Sequence, residues 1–248
     1  VRLSVVMPYF KRIREFQRVL PLNAPHFSRP DCEVILVLDE PSEEADVLRL
    51  VRDFPSIRWR VVVNDFDHPW RPPCRSINVG IRNAVGEHVL VMSPESAFVT
   101  DVPSVALAHI AENPGTAALG HVAFGTFDQV AAADGSLAAA YTGPITPYGS
   151  ICVARERLEA LHGYDEGFDR WGGDDDNLRV RLMMTDTYLF PLVDMKLLHL
   201  SFEPRKVRQV SEPPPPDYAE RIFSPASAQA NPDGWGESFR RIAFDWRT

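Results

Sequence analysis

Four short apolar runs within residues 1–100 limit what this chain can fold into more than any other feature. LSVVM (3–7), VILVL (34–38), RVVV (60–63) and HVLVM (88–92) are rich in β-branched residues and bounded by polar residues or proline, as strands buried on both faces are. Between them Ile13, Phe16, Val19 and Leu20, then Ala45, Leu48 and Val51, then Ile77, Ile81 and Val85 recur at helical spacing. The alternation predicts an open, twisted, mostly parallel α/β sheet flanked by helices. Such a sheet binds ligands at the carboxyl ends of its strands. That places first attention on Pro8, Tyr9 and Phe10, on Asp39 and Glu40, on Asn64 and Asp65, and on Ser93, Pro94 and Glu95.

The second half is less regular. A helix is expected over 103–112, a strand at ALGHVAF (118–124), and an unpatterned alanine-rich loop near 130–140. The irregular segment 125–148 is a candidate acceptor loop or lid. SICVA (150–154) reads as a strand, ERLEALHG (156–163) as a short helix stopped by Gly163, 174–184 as a helix, and KLLHLSF (196–202) as the last strand. EPPPPD (212–217) is a polyproline-type spacer. Beyond it Trp235, Phe239, Ile242 and Trp246 fall at spacings of four, three and four. This helical stripe is expected to dock on the parent domain, with a partner or peripheral membrane contact as the alternative.

Composition narrows the function classes. The chain of 248 residues, 45% hydrophobic, suits one domain with a substantial core. Its 26 basic and 34 acidic residues give a net charge of −8 without a basic block, which argues against nucleic-acid binding and a polybasic membrane anchor. A phosphate-bearing ligand must then be met locally. Arg75 and Arg82 are candidates, with ordinary surface solvation as the bland reading of either. Cys32, Cys74 and Cys152 are odd in number and widely spaced, so a reducing cytoplasm is expected rather than a disulfide framework. No apolar run approaches the length of a membrane span, and VRLSVVMPYF lacks a signal-peptide layout.

Two features carry chemistry. Asp39 closes a strand in VILVLDEPS, where a carboxylate can accept from a nucleobase N–H or a ribose hydroxyl, or can simply form a turn. In NVGIRNAVG, Asn78 and Gly80 suggest close backbone approach or helix packing. The second feature is FDRWGGDDDNLRVRL (168–182), in which three carboxylates open a helix. One would cap it at about 0.3–1 kcal/mol, and the surplus needs another purpose. Trp171 could stack on a sugar face or sit in the core, and Gly172 and Gly173 allow close backbone approach. A Ca²⁺ module over 165–176 is disfavoured by the acidic spacing.

In order and spacing these segments resemble the inverting family 2 glycosyltransferases of the GT-A fold, over residues 2–202. The stretch GYDEGFDRWGGDDDNLRVRL is also similar to one in β-1,4-galactosyltransferases and bacterial chondroitin-type polymerases. The resemblance implies a single Rossmann-like GT-A domain over 1–202, with a nucleotide-binding half (1–100), an acceptor-binding half (101–202) and a C-terminal extension (203–248). It implies transfer of a hexosyl group from a nucleotide sugar, UDP-linked, to an acceptor hydroxyl, in carbohydrate biosynthesis. Asp175 takes the position of the family's catalytic base, with Asp174, Trp171, Gly172 and Gly173 toward the acceptor. Pro8, Tyr9, Phe10, Asp39, Asn64, Arg75 and Asn78 fall to the nucleotide. The family's Asp-x-Asp metal motif is replaced by Ser93-Pro94-Glu95, leaving Glu95, with His199 from a late strand, to hold Mn²⁺ or Mg²⁺. His199 alone would read as a core histidine. Two neighbouring carboxylates raise the pKa of Asp175 and the helix N-terminus lowers it, so the direction is left open. A retaining transferase of the same fold and a non-catalytic nucleotide- or sugar-binding protein are the alternatives.

Overall fold

The computed structural model describes residues 1–65, 73–143, 149–168, 172–204, 216–239 and 241–248. The four apolar runs become β1 (Leu3–Tyr9), β2 (Cys32–Leu38), β3 (Trp59–Val63) and β4 (His88–Val91), joined through α1 (Ile13–Phe27), α2 (Glu44–Arg52) and α3 (Cys74–Asn83). They pair in parallel in the order β4-β1-β2-β3, with Val6 between Ile35 and Val91. Alternation along each strand sorts the core into two layers. Val5, Met7, Leu36 and Leu38 pack with Phe16 and Leu20 of α1 and Val47 of α2, whereas Val6, Ile35 and Val37 pack with Ile77 and Ile81 of α3. Each such fully buried side chain contributes about 1.5–3 kcal/mol relative to exposure. α3 lies so close to β1 that a Cβ on Gly80 would stand 2.3 Å from Val6 Cγ1, so a side chain there would push the helix off the sheet.

Beyond β4 come β5 (Ser96–Phe98), α4 (Val102–Glu112), β6 (Thr116–Thr126), α5 (Phe127–Ala132), α6 (Leu137–Ala140), β7 (Ile151–Ala154), α7 (Arg155–Ala160), α8 (Asp174–Met183), β8 (Tyr188–Ser201), α9 (Tyr218–Phe223) and β9 (Arg241–Asp245). Among the described residues one nine-stranded sheet results, β5-β8-β6-β7-β4-β1-β2-β3-β9. β6 and β8 run parallel, β7 joins β4 and β6 antiparallel, and β5 and β9 close the two edges antiparallel. Among the described residues no helix is long and apolar enough to cross a membrane.

Three expectations are corrected. The alanine-rich stretch holds α5, opened by a capping box between Thr126 and Gln129, and α6, capped at its start by Ser136. Local side-chain capping forms these helices where no apolar period announces them. The strand expected at 196–202 begins at Tyr188 and is followed by another. The stripe from Trp235 to Trp246 is not a helix. Gly236 takes φ +63, and the open edge of β3 offers backbone partners, so β9 pairs there with Val61 opposite Phe244 and Val62 opposite Ile242. Unpaired strand backbone outcompetes the local helical period. Most of the EPPPPD spacer lies outside the described residues.

Candidate functional site

The carboxyl ends of the parallel strands are stitched together. The Asp39 N–H donates to the Tyr9 carbonyl at 2.8 Å, the Asn64 N–H to the Leu38 carbonyl at 3.0 Å, and Asn64 Nδ2 to the Asp39 carbonyl at 3.2 Å. Asp39 and Asn64 are both buried, side by side at the strand edge. Pro8 and Phe10 are partly exposed, but Tyr9 occupies an inward position of β1. Its ring lies in the core 6.0 Å from that of Phe16, and its hydroxyl donates to Glu43. The expected nucleotide contact from the Tyr9 side chain is therefore corrected: strand alternation turns it inward.

The antiparallel pairing of β5 with β8 sets Ser96 opposite His199 and brings His199 Nε2 to 3.4 Å from Glu95 Oε1. Arg12 Nε lies 3.3 Å from the same oxygen, a cation that sequence reasoning missed because it sits in the loop before α1 with no motif around it. Burial pushes the Glu95 carboxyl upward and the Arg12 charge pulls it back. Among the described residues no group of three His, Cys, Asp or Glu suits a metal ion. Glu95 and His199 supply two adjoining donors, a set that fits a hard cation when phosphate and water oxygens complete the shell.

The acidic run forms the first turn of α8. Gly172 and Gly173 precede it with φ of +92° and +89°, and two successive left-handed residues would cost a side chain roughly 1–2 kcal/mol each. A Cβ on Gly172 would meet nothing within 4 Å, whereas one on Gly173 would stand 2.4 Å from Ile222 Cδ1. Asp174 is buried, with Cys74 Sγ 3.9 Å from its Oδ2. Cys74 is the first residue of α3, so the acidic turn packs against the start of that helix. Burial lifts the Asp174 carboxyl, against two helix amides that favour its charge. The Asp175 carboxyl is pushed up to about 7, first by burial and then by the Asp174 charge, with Arg179 and the Tyr164 hydroxyl opposing. The competition left open by sequence thus resolves upward, although Asp175 keeps partial exposure. Asp176 is held by Arg179 at 3.1 Å. Trp171 lies outside the described residues.

Asn78 is corrected. It is fully buried, its Nδ2 donating to the Tyr164 carbonyl at 2.8 Å and Glu166 Oε1 at 2.9 Å, while its Oδ1 accepts from the Tyr164 N–H at 2.7 Å. These bonds clamp α3 to the loop before α8 and leave the amide unavailable to a nucleotide. Arg75 reaches Glu166 at 3.5 Å and Ser238 at 3.4 Å. Arg181, buried in α8, donates to Asn177 Oδ1 and to the carbonyls of Leu161, Gly163 and Ala228, and burial lowers its pKa to about 10. In sequence it looked like any solvated arginine of RVRL.

Residues 136–191 match the family model described as the N-terminal domain of galactosyltransferase, a segment that holds α6, β7, α7, the twin glycines, α8 and the first four residues of β8. No curated protein matches the chain. Among solved structures it is similar to a mannosyltransferase from Pyrobaculum calidifontis in complex with GDP-Man and Mn²⁺, with 20% identity, a TM-score of 0.57, and coverage of 79% of this chain and 56% of that one. It is also similar to S. aureus TarS 1–349 in complex with UDP, with 14% identity, a TM-score of 0.61 and coverage of 81% and 61%. The TarS complex with UDP-GlcNAc gives 14% identity, 0.61, and 83% and 60%. The chain thus spans less than two thirds of the length of these structures. At such identities the likeness is one of architecture, and the open α/β sheet with its flanking helices is the GT-A glycosyltransferase fold.

Proposed function

We propose that this chain transfers a hexosyl group from a nucleotide diphosphate sugar, UDP-linked, to an acceptor hydroxyl with inversion at the anomeric carbon. The observation that carries this reading is the run of three carboxylates in the first turn of α8, behind two left-handed glycines and with Asp174 against Cys74 of α3, where the Asp175 carboxyl is raised to about 7. A general base works best with a pKa near the operating pH. The match of 136–191 to a galactosyltransferase domain and the nucleotides held by the similar structures support the same reading.

In this reaction residues 1–100 bind the donor, with Asp39, Asn64, Pro8 and Phe10 at the nucleoside and Arg75 toward the diphosphate. Residues 101–202 present the acceptor, which Asp174 and Trp171 position. Asp175 takes the proton as the acceptor oxygen attacks the anomeric carbon from the face opposite the nucleotide. The bond from that carbon to the diphosphate oxygen breaks, and the diphosphate leaves with its electron pair. No covalent glycosyl-enzyme is needed. A divalent cation, held by Glu95 and His199, would neutralise charge on the leaving diphosphate. The three free, buried cysteines agree with a cytoplasmic setting.

The test is a panel of UDP-hexoses, UDP-N-acetylhexosamines and GDP-mannose with Mn²⁺, scored for nucleotide release to water or simple sugar acceptors. Asp175→Asn should lower turnover about a hundredfold or more with nucleotide affinity intact, and NMR of the product should show the inverted anomer. A retained anomer would replace the mechanism. Engagement of Glu95 by Arg12, with Ser93 in place of an aspartate, favours a non-catalytic binding protein as the second reading. UDP binding without turnover of any donor would establish it.

A further inference from the structure

The C-terminal segment, outside the stretch that suggested the function, returns beneath the acidic turn. The Tyr218 hydroxyl, from the first residue of α9, donates to the Gly172 carbonyl. One turn on, Ile222 is buried against Gly173. Asn177 Nδ2 of α8 donates to the Arg221 carbonyl at 2.8 Å, and the Arg221 guanidinium grips Asp165 through Nε at 3.0 Å and Nη2 at 2.8 Å. The Tyr218 ring meets Phe168 edge-on at 5.7 Å. α9 thus contacts both ends of the loop before α8 and the first turn of α8 itself.

Consecutive left-handed glycines are the least restrained backbone a chain can use, yet a reacting carboxylate two residues away must be held within about 0.5 Å. We propose that Tyr218 is a positioning residue for the transfer reaction: by fixing the Gly172 carbonyl it sets the pitch of the Gly172–Gly173 turn and so the aim of the Asp175 carboxylate. Tyr218 touches neither donor nor acceptor in this role. Ile222 supports the same turn from its other side by filling the space a Gly173 side chain would need. The inference rests on the assignment of Asp175 as the base.

The variant Tyr218→Phe removes the hydroxyl and keeps the ring on Phe168. With the fastest donor of the panel, kcat should fall about tenfold, because misplacement by about an ångström can cost up to a hundredfold. Donor KM and UDP affinity should stay within about twofold, as expected when only transition-state interactions are lost. The companion Ile222→Ala loosens the turn without touching the hydroxyl and should show the same split. It decides the matter if Tyr218→Phe is unfolded at the assay temperature. Wild-type kcat in the folded variants, or parallel loss of kcat and UDP affinity, overturns the positioning role. Asp175→Asn assayed alongside separates the two levels. If it is inactive while Tyr218→Phe is fully active, only the Tyr218 inference fails; if it retains turnover, the base assignment fails and the inference with it.

Discussion

His199 Nε2 stands 3.4 Å from Glu95 Oε1, a contact that exists only because β5 pairs antiparallel with β8. In the proposed reaction the two side chains hold the cation against the diphosphate. Glu95→Ala should weaken Mn²⁺-dependent UDP binding by about tenfold or more, the scale of lost support at a metal site. Calorimetric titration with UDP, with and without Mn²⁺, checks this. If the variant gains as much affinity from Mn²⁺ as the wild type, Glu95 is not a ligand.

Asp175 ties activity and stability to pH with opposite signs. Turnover should rise as pH passes through about 7 and the base loses its proton. The folded state holds that proton more tightly than the unfolded chain, so ionisation costs stability as pH rises from about 4 toward about 7. Asp175→Asn should therefore stabilise the protein at pH 8 by on the order of 1 kcal/mol, a gain that shrinks toward pH 4. Denaturant melts at several pH values read the difference. A variant less stable than wild type at pH 8 would contradict the raised carboxyl.

Gly173→Ala meets two penalties at once. The φ of +89° costs about 1–2 kcal/mol for any L side chain, and the new methyl would stand 2.4 Å from Ile222 Cδ1. A thermal midpoint lower by several degrees is expected, at about 2–4 °C per kcal/mol for a chain of this size. Adding Ile222→Ala relieves the collision and not the dihedral strain, so thermal melts of the double variant should show partial recovery. Full recovery would mean that the left-handed turn carries no strain.

Arg181→Met keeps the bulk of the side chain and removes its donors. The Gly163 carbonyl and Asn177 Oδ1, which each accept from Arg181 at 2.8 Å, would lose that donor at about 1–3 kcal/mol each, while the Leu161 carbonyl keeps the Ala230 N–H at 3.0 Å. A loss of about 3 kcal/mol or more is expected in urea unfolding, with UDP affinity of the folded protein unchanged. An unaltered unfolding midpoint would show that water replaces the guanidinium at no cost.

The strands β1 to β4 were legible to within about two residues, the usual uncertainty of a boundary, because a run such as VILVL carries its own burial signal. The glycine-aspartate turn was equally legible, since WGGDDD combines conformational freedom with surplus charge. Asn78 misled: nothing local distinguishes an amide that binds a ligand from one that clamps a loop 86 positions away. β5 gave no signal at all, being three residues long and defined by its partner.

By itself, then, the sequence determined the strand-and-helix alternation of the first half and the position of the carboxylate run, both of which follow from side-chain period and backbone freedom along short stretches. Only the tertiary structure decided that 241–245 would be a strand, that Glu95 would meet His199 and Arg12, and that the Asp175 carboxyl would rise. Each of these depends on which distant groups share a site, which backbone edge is left open, and how far water is excluded there. Those quantities come into being with the packed fold.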